Sequence, residues 1–195
     1  MTQPSLHLAA DPEADAFLAR DPLALLIGML LDQQFPLERA FASPSKLADR
    51  LGRDRLDAAE IAACDPDAFA KLMAGPPALH RYPAAMAGRI QTLCALVAEE
   101  YDGDAAALWS TAASGKELLA RIRKLPGFGE HKARIFVALL GKQLGVQPGG
   151  WREAAGRYGQ DGTFLSAADV VDAESLLKVR SFKQAAKAAA KAKDA

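Results

Sequence analysis

LPGFGEHKARI, residues 125–135, puts Pro126, Gly127 and Gly129 within five positions and follows them at once with His131, Lys132 and Arg134. A capping box precedes it: Ser114-Gly115-Lys116-Glu117 places Ser114 at the N-cap and Glu117 at N3 of a helix running to about Lys124. Beyond it, Ala133, Phe136, Val137 and Leu140 recur at helical spacing on one face up to Gly145. The unit is therefore helix, tight Pro/Gly hairpin, helix, over about residues 114–145.

A plain turn between helices needs fewer special residues. Glycines at 127 and 129 permit positive φ and carry no Cβ, so backbone N–H groups can converge on an anion. The N-terminus of the following helix adds partial positive charge at the same point. A DNA phosphate fits such a site, with Lys132 and Arg134 as nearby counter-charges. The plainer reading is an αα-hairpin whose glycines only reverse the chain.

Composition narrows the setting. The chain has 195 residues, half of them apolar, enough for one or two domains with a real core. Lys plus Arg equals Asp plus Glu at 24 each, so total charge points to no partner. The distribution does: residues 1–79 hold 12 acids and 7 bases, net −5, whereas residues 115–145 hold 7 bases and 2 acids, net +5. Cys64 and Cys94 are too few for a disulfide framework or a cysteine-ligated iron–sulfur cluster. No basic start followed by an apolar core is visible at the N-terminus, and the longest apolar run, Leu23 to Leu31, is too short to span a bilayer. A soluble cytoplasmic protein is expected.

The rest of the chain reads as helix after helix without a convincing strand. Asp21-Pro22 is a helix start, with Asp21 as N-cap and Pro22 where its missing N–H costs nothing. Behind it, LALLIGMLLDQQ predicts a buried central helix. Asp11-Pro12 and Asp65-Pro66 repeat the device, and Ser43-Pro44 reads as a related start. Met86, Ile90, Leu93, Cys94 and Val97 predict a helix over 84–101, and Trp151 to Arg157 a short one. From Glu174 the chain is helical by propensity, with Lys183, Lys187 and Lys191 in one row.

Leu125-Pro126-Gly127-Phe128-Gly129-Glu130-His131-Lys132-Ala133 resembles the helix-hairpin-helix of the HhH-GPD superfamily of base-excision DNA glycosylases. Leu25 to Gln34 is similar to that family's early buried helix, which ends in a Gln-bearing turn near DNA and the base pocket. The resemblance covers roughly residues 15–145. It implies an all-α, two-lobed fold over residues 1–173, with a basic helix or tail at 174–195. It also implies a monomer that binds duplex DNA carrying a damaged or mispaired base and rotates the target nucleotide out of the stack. The implied DNA contacts are Gly127, Phe128, Gly129, Glu130, His131, Lys132 and Arg134 at the hairpin, with Gln33 and Gln34 as wedge or pocket-edge residues. A monovalent cation held through hairpin carbonyls is a further implication. No side-chain metal site is expected, and the cysteine count excludes the iron–sulfur branch.

Cleavage of the N-glycosidic bond builds positive charge on the sugar, and a nearby carboxylate lowers that barrier. The chain departs from the family here. The loop where the catalytic Asp is expected reads Gly145-Val146-Gln147-Pro148-Gly149-Gly150-Trp151-Arg152, without a carboxylate before Glu153. The hairpin position used for a Schiff base holds His131, with Lys132 one place on, which on a helix is about 100° away. The expectation is a monofunctional glycosylase with Asp32 as catalytic carboxylate ahead of Glu38 and Glu153; its rival is a non-catalytic lesion-binding or DNA-structure-binding protein. Trp151 is read as a core residue before a stacking platform, and His80-Arg81-Tyr82 as a surface turn before a DNA contact.

Overall fold

Aspartates at the ends of short apolar runs set the architecture. The computed structural model describes residues 5–193, so residues 1–4 of the expected leaderless N-terminus, residues 194–195 and the side chain of Lys191 lie outside the described residues. In chain order the α-helices are α1 (Pro12–Arg20), α2 (Pro22–Leu31), α3 (Leu37–Leu51), α4 (Ala58–Ala63), α5 (Pro66–Ala74), α6 (Pro83–Tyr101), α7 (Ala107–Ser110), α8 (Gly115–Arg123), α9 (Glu130–Gln143), α10 (Trp151–Ala155) and α11 (Ala173–Lys193). Two 3₁₀ turns, Gly156–Gly159 and Ala167–Asp169, lie between α10 and α11. No strand occurs among the described residues, so the class is all-α. No helix is long and apolar enough to cross a membrane among those residues.

Asp11, Asp21 and Asp65 each accept a backbone N–H of the first helical turn, as the Asp-Pro pattern predicts. Asp21 also accepts the Leu56 N–H at 2.8 Å and is buried, so one carboxylate caps α2 and pins the approach to α4. Ser43-Pro44 is a correction: both lie inside α3, which starts at Leu37. Pro44 lacks the N–H that would bond the Ala40 carbonyl, and the Ser43 hydroxyl donates to Arg39 O and Leu79 O at 2.7 Å each. Pro44 thus sits within α3 without starting it.

α2 is buried at nine consecutive positions from Leu23 to Leu31 and packs on α3. α4 and α5 lie along α6, while α10 covers the α8–α9 pair. One hydrophobic core runs through both groups. α11 is not a free tail at its start, because Leu176 and Val179 are buried; beyond Ser181 its surface is largely exposed.

Candidate functional site

The 125–135 hairpin joins α8 to α9 as a reversed turn closed by Phe128 N–H donating to Leu125 O at 3.0 Å. Gly127 has φ +81°, and a Cβ there would lie 2.5 Å from Leu30 Cδ1, so conformation and the contact with α2 both demand glycine. Gly129 differs from the expectation. Its φ is −69° and nothing lies within 4 Å of an added Cβ, so its bareness faces solvent and serves no internal contact. Phe128 is turned into the core, 5.9 Å edge-on from Phe136, and its side chain cannot meet DNA.

The N-terminus of α9 has no side-chain cap. Ala133 is the first residue to donate back into the helix, to Gly129 O at 2.9 Å, which leaves the amides of Glu130, His131 and Lys132 as first-turn donors. The structure engages the charged residues here differently from the sequence expectation. Glu130 pairs with Arg123 at 2.8 Å and with Arg134 at 2.7 Å, and Arg134 also donates to Ala154 O at 2.9 Å. Lys132 points the other way. Its Nζ donates to Leu30 O at 2.8 Å, at the C-terminal end of α2, and lies 5.8 Å from the Phe128 ring centre. Burial pushes the Lys132 ammonium down to about 8, with Arg89 and Lys183 acting the same way and Asp32 opposing. His131 is exposed but held by Tyr158, whose hydroxyl is 3.0 Å from Nδ1; burial, then Arg157 and Lys183, lower its pKa.

Asp32 is the C-cap of α2, its backbone N–H bonding Gly28 O at 3.1 Å. A carboxylate at this end opposes the helix dipole. Cations compensate: Lys183 of α11 lies 3.3 Å and 3.4 Å from its two carboxylate oxygens, and the Asp32 side chain is only 8% exposed. The Gln-bearing turn that follows is split. The Gln33 amide reaches Met86 Sδ at 3.3 Å and is half-buried, whereas Gln34 is exposed at φ +51°.

His80 holds that turn, a role the sequence reading missed. It is 1% exposed rather than on a surface turn. The Tyr82 N–H donates to Nδ1 at 3.0 Å, which leaves Nε2 to donate to Gln33 O at 3.1 Å. Burial lowers its pKa, consistent with this neutral tautomer. Its position before a proline-started helix offers no periodic signal, so only the tertiary contact reveals it.

The remaining candidates fall apart in space or role. Gly150, not a carboxylate, caps α10, and Trp151 is 7% exposed with its indole so close to Gly141 that a Cβ there would be 2.3 Å from the ring. Trp151 is thus core. Glu153 is exposed on α10. Glu38 pairs with Arg180 of α11 and lines, with Gln34, Phe35, Lys183 and Lys187, a cleft of about 470 Å³ between the α2–α3 turn and α11. Among the described residues no group of three His, Cys, Asp or Glu side chains is placed to hold a metal ion.

Hairpin, α2 end, His80-locked turn and α11 thus converge, with Asp32 at their centre, in an all-helical protein. Compared with family models, curated proteins and solved structures, the chain matches none.

Proposed function

We propose that this protein binds duplex DNA through the 125–135 hairpin and acts as a base-excision DNA glycosylase of the two-lobed helix-hairpin-helix kind. The observation that carries this reading is the uncapped N-terminus of α9 at an exposed, Cβ-free Gly129, packed directly against the end of α2 that bears Asp32 and the Gln33–Gln34 turn. Backbone amides and helix dipole receive a strand phosphate. Gln34, exposed on a turn locked by His80, enters the duplex, and the target nucleotide rotates toward the α11 cleft. Asp32 is the carboxylate that faces positive charge developing on the sugar. The protein works as a cytoplasmic monomer, and a monovalent cation at the hairpin carbonyls belongs to the same proposal.

A second reading has its own support. Lys183 and Lys132 flank Asp32, so its negative charge toward a sugar cation is partly offset until α11 shifts, and the α10 cap carries no carboxylate. This favours lesion binding without bond cleavage.

Single-turnover base release from duplexes with uracil, oxidised or alkylated bases decides between the two. Release by the wild type and its loss in Asp32→Asn with binding retained is the expected result. Salt-sensitive binding with no release from any duplex selects the second reading. Absence of salt-sensitive binding removes both.

A further inference from the structure

The two halves of α11 are held differently. Leu176 and Val179 anchor its start in the core, whereas from Phe182 to Ala190 every residue except Lys183 is exposed. Beyond Val179, its side-chain ties to other elements among the described residues are two ion pairs, Arg180 with Glu38 and Lys183 with Asp32. The second is loose, since Lys183 Nζ lies 3.3 Å from the nearer oxygen and its side chain is 39% exposed. Residues 176–193 hold six Lys or Arg and no Asp or Glu. Arg180, Lys183 and Lys187 follow at i, i+3 and i+7 on one face, and all three border the cleft that the exposed Gln34 also lines. Lys183 also stands close enough to His131 of the hairpin to act on it electrostatically. Lys187 is exposed and, among the described residues, makes no ion pair.

Resting on the DNA-binding reading above, we propose that this face of α11 is a clamp for the DNA backbone: Lys187 and Lys183 take phosphates of one strand, and Lys183 leaves Asp32 to do so, which bares the carboxylate only when DNA is bound. Lysines four residues apart stand about 6 Å apart along a helix axis, so both can reach the same strand. A phosphate competes for Lys183 on good terms, because an exposed ion pair is worth little. Apart from Gln184 and Lys187, residues 184–190 are alanine. Such a surface lacks the bulky apolar side chains that seat a helix in a lipid surface, which favours nucleic acid as the partner.

The test is an anisotropy titration of the full chain on a duplex with one central tetrahydrofuran abasic analogue, from about 50 to 200 mM NaCl. Lys187→Gln should weaken binding and flatten the log–log salt slope by about 1, the mark of one lost phosphate contact. Asp32→Asn should tighten binding about threefold by releasing Lys183, and in a Lys183→Gln background the same change should bring no gain. This cycle separates an exchange of partners from general charge, which would give equal gains in both backgrounds. Equal gains, or a slope that Lys187→Gln leaves unchanged, overturn the inference, while wild-type binding keeps the DNA reading standing. In sedimentation with phosphatidylserine vesicles the chain should stay in the supernatant; uptake that Lys187→Gln abolishes gives the face to a lipid surface and overturns the inference as well. If the wild type shows no salt-sensitive binding to the duplex, the DNA reading fails first and the inference falls with it.

Discussion

Two aspartates mark the ends of one buried helix. Asp21 sits at the positive end of α2, 1% exposed, accepting the N–H groups of Ala24 at 3.0 Å and Leu56 at 2.8 Å. Asp32 sits at the negative end, where the dipole opposes it, and its compensation comes from lysines on α9 and α11, distant in sequence. The first carboxylate is where helix physics favours one, and it builds the fold. The second is placed against the dipole and held by movable side chains, which suits a group that meets a ligand.

The largest effect should separate these two roles in urea denaturation. Asp21→Ala should destabilise by about 3 kcal/mol, since it removes an N-cap and strands the buried Leu56 N–H. Asp32→Asn should stay within about 1 kcal/mol, because Lys183 is a loose and partly exposed partner. Equal losses would erase the distinction.

Next in size is the hairpin's seat on α2. Gly127→Ala meets both a positive φ and Leu30, and should cost about 2 kcal/mol by the same assay. A neutral result would mean that the hairpin is not held against α2.

A smaller effect concerns pH. The Lys132 pKa falls from 10.5 to about 8 on folding, so between those values the unfolded chain binds more protons and this group makes stability rise with pH. Stability profiles of wild type and Lys132→Met should therefore diverge in slope from about pH 8 to 10.5. NMR titration of Lys132 should show its pKa lower still in Asp32→Asn, since Asp32 is the influence that raises it. An unchanged pKa would detach Asp32 from this cluster.

The smallest stability change should carry a large change in binding. Gly129→Asp adds the cap that α9 lacks in a position with open space, for a gain of a few tenths of a kcal/mol. The added carboxylate fills the proposed anion site, so, on the DNA-binding proposal, affinity for duplex DNA should drop about tenfold or more. Retained affinity would move the phosphate away from the α9 terminus.

Much of the fold was legible because its signals are local. Asp-Pro starts, the Ser114 cap and the apolar period of α6 depend on neighbours within one turn. Glu117 departs only slightly, accepting the Ala113 N–H at 3.0 Å in place of that of Ser114. Pro44 misled because a proline marks a helix start by local rules, whereas here it lies inside α3, a placement that tertiary packing decides. At the site, Asp32 and Lys132 were named in the sequence, but Lys132 as a phosphate counter-charge. It lies inward because burial of its stem and the Leu30 carbonyl outweigh exposure.

The sequence by itself determined the all-helical class, the Asp-Pro helix starts and the hairpin between α8 and α9, because caps, glycines and apolar periodicity act within a few residues. Only the tertiary structure decided which side chains surround Asp32. His80, Lys132 and Lys183 lie far apart along the chain, and their orientation follows from burial, dipole and hydrogen-bond satisfaction summed over several elements.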